Sequence, residues 1–170
     1  MSTQATADPP SAPQPQDASR QFLTFQLATE EYGVDILRVQ EIKGMDTITP
    51  MPDVPVHIRG VVNLRGIIVP VMDLRRGLGL APKQADATTV MIVLKVYDET
   101  CERTLGLIVD AVSEVYHFNA GEIKPAPDFG AALNTEYVQG IATVDDRMLI
   151  LLDVDTLVHK GLLADLPTRH

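Results

Sequence analysis

The chain has few residues that carry covalent or aromatic chemistry. Its 170 residues include one cysteine, no tryptophan, four tyrosines and four phenylalanines. A single cysteine excludes an intramolecular disulfide, which fits a reducing compartment. Cys101 lies in a polar stretch beside Glu102, and a neighbouring acid disfavours a reactive thiolate. Because aromatic residues make up only 5% of the chain, the core must be built from Val, Ile and Leu.

Positive charge is scarce as well. Fourteen Lys and Arg stand against 23 Asp and Glu, giving a formal net charge of −9. Nucleic-acid binding depends on a basic surface, so we expect no nucleic-acid partner, and an anionic membrane surface is disfavoured for the same reason. The basic residues are scattered except for a local group that is typical of solvated surface. The group comprises Arg59, Arg65, Arg75 and Arg76.

Targeting and membrane signals are missing. No apolar run approaches the ~18 residues that a membrane helix needs. The N-terminus has neither the basic start nor the apolar centre of a signal peptide. These absences predict a cytoplasmic protein without direct membrane insertion.

Catalytic and metal-binding patterns are also missing. The four histidines lack the spacing of metal ligands, and neither a glycine-rich nucleotide loop nor a G-x-S-x-G elbow occurs. Asp145 and Asp146 are adjacent and would point to opposite faces of a strand, so they indicate a hairpin tip rather than an acid–base pair. We expect no cofactor and no metal, and an enzyme stays an open alternative that would need at least two strongly perturbed ionisable groups in one cleft.

What the chain does contain is an approximate internal repeat. A ten-residue segment that begins at Gly33 recurs 73 residues later from Gly106, and two further matches follow in the same order. Two unrelated β-rich segments can share glycines and apolar runs, but three ordered matches favour duplication. Equivalent positions are Gly33 and Gly106, Gly60 and Gly140, and Asp73 and Asp153.

Short apolar runs predict about five strands in each copy. Asp73 and Asp153 precede helix-like segments and are typical of N-caps, and Pro167 would stop the second helix. Five strands in about sixty residues suggest a small closed barrel of SH3-like size. The predicted fold is all-β with short helices: two five-stranded SH3-like β-barrels that share an apolar interface, with a C-terminal helix.

Composition predicts three parts along the chain. Residues 1–20 are rich in Pro, Ala, Gln and Ser and predict a disordered tail. Residues 21–80 are assigned to the first barrel, and residues 81–166 to the second barrel with the C-terminal helix. A cleft between two such barrels would be a place to bind.

One candidate binding strip can be read from the residues. Glu41 and Arg65 lie at predicted strand ends, with Val39 and Ile67 close to them in sequence. An apolar strip bordered by an acid and a base suits an amphipathic helix, and exposed β edges recruit partner segments. The alternative is that Val39 belongs to the core and that both charges are ordinary surface residues.

Several motifs together resemble the bacterial CheW family of chemotaxis coupling proteins. The N-L-R-G-x-I-x-P-x-x-D-L string is highly specific, and the resemblance covers nearly everything after the tail. It implies a stand-alone adaptor of two SH3-like barrels without enzymatic activity. Such an adaptor links the cytoplasmic tips of chemoreceptors to the regulatory domain of the chemotaxis histidine kinase. The motifs are Glu31–Ile42, Ile58–Gly66, Ile68–Leu74, Ile123–Phe129 and Tyr137–Asp153.

The resemblance also implies partners and site residues. The partners would be the chemoreceptor tip, the kinase and other copies of the adaptor in ring-like arrays, to which this cytoplasmic protein would be recruited at the membrane. The receptor site would comprise Val39, Glu41, Gly60 and Arg65, and the kinase or ring contact would comprise Lys124 and Phe129. Family members commonly carry Arg at position 124, and Lys keeps the charge but loses bidentate geometry. A small-molecule-binding double β-barrel is the alternative function, and it would need a deep enclosed pocket.

Overall fold

The computed structural model describes residues 19–45, 48–97, 101–127 and 135–162. These residues form ten strands in two five-stranded sheets, together with short helical segments. The strands are β1 Ser19–Leu27, β2 Glu30–Asp35, β3 Val39–Gly44, β4 Ile58–Leu64, β5 Ile67–Asp73, β6 Val90–Tyr97, β7 Glu102–Val109, β8 Ala111–Asn119, β9 Val138–Val144 and β10 Arg147–Leu152. Helix α1 is Leu74–Gly77, and helix α2, Val154–Thr156, continues as the π-helical segment Leu157–Leu162. Single 3-10 turns are Ile36–Arg38, Ala120–Glu122 and Thr135–Tyr137. The predicted all-β class with two five-stranded units is confirmed.

Each sheet combines strands from both sides of the predicted junction. The first sheet has the order β8-β1-β2-β10-β9, and the second has the order β3-β6-β7-β5-β4. The chain crosses to the second sheet at Ile36–Arg38 and returns at Asp110. The segments 21–80 and 81–166 therefore each contribute strands to both sheets, so strands are exchanged between the two barrels. Apolar periodicity specifies strands and their faces, but it carries no information about which strands pair.

The register of the two sheets agrees with the repeat. The two strand orders match position by position when each strand is replaced by its repeat equivalent, so that β1 corresponds to β6 and β2 to β7. The same holds for β3 and β8, β4 and β9, and β5 and β10. In each sheet, two repeat glycines pair with one aliphatic residue on the strand between them. The triplets are Gly33–Leu151–Gly140 in the first sheet and Gly106–Val71–Gly60 in the second.

The core has three parts, and the largest lies between the sheets. Strand β1 is buried on both faces, because Phe22 packs inside the first barrel while Leu23 and Phe25 pack in the shared layer. Strand β6 repeats this arrangement with Met91 inside the second barrel and Ile92 in the shared layer. Burial of each such side chain stabilises by about 1.5–3 kcal/mol, so the shared apolar layer holds the two barrels together as one unit.

Strand β1 begins two residues before the predicted end of the tail. Arg20 forms an ion pair with Asp35 at 3.1 Å, and its guanidinium carbon lies 5.0 Å from the ring centroid of Phe22. Strand β1 therefore includes Ser19 and Arg20, the last two residues of the predicted tail. Residues 1–18 lie outside the described part of the chain.

Both predicted helix N-caps are confirmed. The carboxylate of Asp73 accepts a hydrogen bond from the backbone N–H of Arg75 at 3.1 Å, and that of Asp153 accepts one from Thr156 at 3.2 Å. The predicted helix end at residue 166 and the stop at Pro167 lie outside the described residues. Across the part of the chain that the structure describes, no helix has the length and apolar character needed to cross a membrane.

Candidate functional site

Glu41 and Arg65 form an ion pair on the second sheet. Glu41 lies on β3, Arg65 lies in the turn between β4 and β5, and Nη2 of Arg65 donates a hydrogen bond to Oε2 of Glu41. The hydrogen bond lowers the pKa of Glu41 and raises the pKa of Arg65, so both groups are charged at neutral pH. The structure thus brings together two charges that the sequence separates by 24 positions.

A two-residue hairpin turn presents the Arg65 side chain. Arg65 and Gly66 have φ values of 53° and 88°, the left-handed pair expected of a type I′ turn. The side-chain oxygen of Asn63 accepts a hydrogen bond from the N–H of Gly66 at 2.8 Å and holds the turn. The Arg65 side chain is 69% exposed, so its guanidinium contacts solvent while it is paired with Glu41.

Val39 extends the inter-barrel core towards the surface. It pairs with Leu94 across the β3–β6 ladder and packs against the shared apolar layer. Ile42 pairs with Ile92, another residue of that layer, and residues directly opposite each other in a ladder share a face. Ile42 itself is exposed. Strand β3 therefore carries an apolar strip that runs from the shared core to solvent.

Gly60 allows a loop to approach strand β4 closely. It is buried with φ +140°, and a Cβ at this position would lie 2.0 Å from the carbonyl oxygen of Thr49. Thr49 and Val61 exchange two backbone hydrogen bonds of 2.9 Å each directly beside it. The glycine permits this close approach of the loop to β4, because any side chain would meet backbone atoms.

Exposed apolar residues lie on β3 and β5 of the same sheet, and sequence reasoning missed two of them. Ile67, noted from the sequence, is 62% exposed, and Ile68 is 61% exposed on the same strand. Ile42, next to Glu41 on β3, is the other missed residue. The sequence did contain a signal for an exposed apolar residue here, since two consecutive isoleucines follow the turn directly. Side chains alternate between the two faces of a strand, so at most one of the two isoleucines can be buried in the core.

Lys124 lies on the other sheet. Its backbone N–H donates to Ile141 at 2.9 Å, and its carbonyl accepts from the N–H of Ile141 at 2.7 Å. The residue is exposed, so its side chain is not needed for this bridge. Phe129, its predicted companion, lies outside the described residues. The four predicted receptor-site residues therefore share the second sheet, while Lys124 belongs to the first.

Two carboxylates with a lowered pKa, Asp110 and Asp155, belong to ion pairs that join elements. A hydrogen bond from Arg75 is the main reason that the pKa of Asp110 is lowered. Burial opposes ionisation of Asp155, but hydrogen bonds from Arg38 and from the N–H of Tyr97 lower its pKa nonetheless. Among the described residues, no group of three or more His, Cys, Asp or Glu side chains is arranged to hold a metal ion.

Two five-stranded sheets, exchanged strands and a shared apolar layer define a double SH3-like barrel. The CheW-like domain model matches residues 21–161, and the chain therefore belongs to the CheW-like family. It is 44% identical over 145 residues to the chemotaxis protein CheW of Klebsiella aerogenes, with 85% of each chain covered. It is 32% identical over 141 residues to the chemotaxis protein CheW of Rhizobium meliloti, covering 83% of this chain and 88% of that one. The crystal structure of the scaffolding protein TtCheW from Thermoanaerobacter tengcongensis matches with a TM-score of 0.74 and 35% identity, covering 82% of this chain and 92% of that one.

Proposed function

We propose that this protein is a chemotaxis adaptor that links the cytoplasmic tips of chemoreceptors to the regulatory domain of the chemotaxis histidine kinase. Its relatives are named as chemotaxis and scaffolding proteins, which supports an adaptor and not a small-molecule-binding double barrel. The adaptor reaches membrane-associated arrays by binding receptors. The observation that carries the receptor contact is the exposed Glu41–Arg65 pair on the sheet whose strands β3 and β5 also carry exposed isoleucines.

The surface around this pair suits one face of a receptor helix. Helix-in-groove recognition needs an apolar strip with polar groups that fix the register. Ile42, Ile67 and Ile68 offer exposed apolar surface on the two strands next to the pair. A guanidinium has five N–H donors, and Glu41 engages Nη2 alone. Arg65 therefore has donors left for carbonyl or carboxylate oxygens of the receptor while Glu41 compensates its charge.

The kinase contact would use the other sheet. Lys124 is exposed on the first sheet, whereas Arg65 is exposed on the second. Separate surfaces on separate sheets let one adaptor hold two partners at once. The shared apolar layer between the sheets gives the two contacts one rigid support. Phe129 would act beside Lys124 and in contacts between copies in a ring, as the family resemblance implies.

The proposal can be tested by isothermal titration of a receptor-tip helical hairpin and of the kinase regulatory domain. The matched variants are Ile68→Asp and Met148→Asp, which replace side chains that are 61% and 62% exposed on the two equivalent hairpins. We expect Ile68→Asp to weaken receptor binding about tenfold, because an apolar contact is lost, and to leave kinase-domain binding unchanged. Met148→Asp should leave receptor binding at the wild-type level. Equal losses in both variants, or no binding of the receptor fragment by the wild-type protein, would refute the proposed receptor surface.

A further inference from the structure

We propose that the cleft between β4, α1 and residues 82–85 binds an oxyanion of the phosphate type. The cleft is open and has a volume of about 630 Å³. Arg59, Arg76 and Lys83 line it, and the carboxyl group of Asp73 also lies in its wall. Three cations and one acid line the cleft, although Lys83 also pairs with Asp86 beside it, in a chain whose net charge is −9. The cleft is separate from the Glu41–Arg65 surface, and the inference does not depend on the proposed adaptor function.

Two guanidinium groups converge on the same carboxylate oxygen. Nη1 of Arg59 and Nε of Arg76 each lie 3.7 Å from Oδ2 of Asp73. Both distances exceed the usual hydrogen-bond range of about 2.7–3.2 Å, so the donors of both groups are still unfilled by this acid. Oδ1 of Asp73 is engaged by the N–H of Arg75 in the helix cap. One buried carboxylate cannot neutralise two arginines, and a net positive charge faces the cleft.

The internal repeat supplies a comparison within the same chain. Arg59, Asp73 and Arg76 correspond to Gln139, Asp153 and Thr156. The backbone supports this equivalence, because the N–H of Asp73 donates to His57 at 2.7 Å and that of Asp153 donates to Tyr137 at 2.8 Å.

In the other copy, neutral side chains complete the cap. The Thr156 hydroxyl donates to Oδ2 of Asp153 at 2.9 Å, and Gln139 donates to the carbonyl of Leu152 at 2.9 Å. A capped helix in this fold therefore needs no arginine at either position. The two arginines of the first copy are an addition to the common framework, and they point into an open cleft.

The wall of the cleft is held in place by contacts outside it. Nε and Nη2 of Arg75 donate to the two carboxylate oxygens of Asp110 at 2.8 and 2.7 Å, and Nη1 donates to the carbonyl of Ala81 at 2.7 Å. Lys83 pairs with Asp86 at 3.1 Å further along the same segment. These contacts order residues 82–85 before a ligand arrives, and preorganisation lowers the entropic cost of binding.

Phosphate matches the donors better than smaller or singly charged anions. Arginine presents planar forks that bind phosphate or carboxylate oxygens through two hydrogen bonds, and lysine adds a point charge. Arg59 and Arg76 share a single buried acid, and the ammonium of Lys83, which is paired with Asp86, has further N–H donors. A phosphate group, free or carried as an ester, has enough oxygens to accept from all three side chains.

The test is a titration of the full chain with sodium phosphate at constant ionic strength, followed by 15N–1H NMR, with sodium acetate as the comparison. We expect saturable shifts of the amides of Arg59, Arg76 and Lys83 with phosphate. The double variant Arg59→Gln with Arg76→Thr installs the side chains of the other copy. The double variant should bind phosphate at least about tenfold more weakly than the wild type, because charge-assisted hydrogen bonds are lost. Its melting temperature should be unchanged. If the double variant does not fold, Arg59→Gln alone is measured with the same expectation.

The control variant, Lys95→Gln with Arg103→Gln, removes two positive charges from β6 and β7 of the same sheet. It should keep the wild-type affinity. The inference would be overturned if the Arg59→Gln with Arg76→Thr variant kept the wild-type affinity for phosphate, or if the control variant lost affinity equally. Chemical shifts that do not saturate with phosphate would overturn it as well. O-phosphoserine distinguishes the sources: tighter binding than that of inorganic phosphate indicates an ester ligand, and weaker binding indicates free phosphate.

Discussion

Arg75 and Asp110 form a bidentate ion pair whose counterpart in the other copy has its charges exchanged. Nε and Nη2 of Arg75 lie 2.8 and 2.7 Å from the two oxygens of Asp110. Arg38 and Asp155 form a second bidentate pair, in which Nη1 and Nη2 of Arg38 lie 2.6 and 2.7 Å from the two oxygens of Asp155. Arg75 lies two residues after the cap Asp73, and Asp155 lies two residues after the equivalent cap Asp153. The same position of the repeat therefore holds a base in one copy and an acid in the other.

Both ion pairs lie where the chain crosses between the sheets. The N–H of Ala28, at the end of β1, donates to Asp110 at 2.8 Å, and the N–H of Tyr97, at the end of β6, donates to Asp155 at 2.8 Å. Each pair therefore connects a helix that follows one sheet to a strand end of the other. Their geometry holds the strand exchange in place.

Asp110→Asn should lower the free energy of unfolding by about 2 kcal/mol at pH 7, because hydrogen bonds to a charged, mostly buried partner are lost. The hydrogen bond from Arg75 is the main cause that lowers the pKa of Asp110 in the folded protein, and burial opposes it. A lowered folded-state pKa means that this stability is present above the unfolded-state value of about 3.9 and is lost as the pH falls through the folded-state pKa. Urea denaturation at pH 7 and at pH 3 measures both effects.

The deficit of Asp110→Asn relative to the wild type should therefore be smaller at pH 3 than at pH 7. Asp145→Asn is the control, because Asp145 is an exposed hairpin residue with φ 49°, a conformation that Asn also tolerates. A deficit of the same size at both pH values would contradict the role of the ionised pair.

Gly60→Ala should destabilise the protein by at least about 2 kcal/mol, because it combines a strained positive φ with a backbone clash. The added Cβ would lie 2.0 Å from the carbonyl oxygen of Thr49, which cannot move without breaking its pairing with Val61. Gly44→Ala is the matched control, since nothing lies within 4 Å of a Cβ there. Thermal melts of both variants measure the difference. Equal melting temperatures would show that the loop relaxes freely.

Arg65→Glu should weaken binding of the receptor tip by about tenfold or more, because it opposes Glu41 with a like charge and removes a donor from the contact surface. The melting temperature should not change, since the side chain is 69% exposed. The double variant Glu41→Arg with Arg65→Glu restores an ion pair with its ends exchanged. If Arg65 contacts the receptor directly, this double variant stays weak. Recovery of wild-type affinity would instead mean that the pair acts only within the adaptor.

Lys124→Glu and Phe129→Ala should impair ring assembly and kinase control while receptor binding stays near normal. The bridge at Lys124 uses backbone atoms only, so the side-chain change should not affect the fold. Aromatic side chains are frequent interface anchors, which is the reason for the Phe129 variant. Reconstituted arrays with a kinase activity readout, together with melting curves, test both. A large loss of thermal stability in Phe129→Ala would indicate that it packs under its own loop, and normal arrays in both variants would remove this surface from the proposal.

The basic residues show how far local sequence reasoning extends. Arg59, Arg65, Arg75 and Arg76 form one cluster along the chain, which is typical of solvated surface. In the structure they have three different roles. Arg65 pairs with Glu41, Arg75 pairs with Asp110, and the other two converge on Asp73. Each partner is distant in sequence or hidden in a cap, so spacing alone could not assign these roles.

Local patterns in the sequence determined the strands, the hairpin tips and the helix caps, because these depend on neighbouring residues alone. Apolar runs marked the strands, and Asp73 and Asp153 marked the caps. Only the tertiary structure decided that the chain moves to the other sheet at Ile36–Arg38. Strand pairing is a contact between distant segments, and both arrangements bury the same apolar faces. The same reason applies to the ion pair of the proposed receptor surface: Glu41 and Arg65 meet only because the folded second sheet brings β3 against the turn that follows β4.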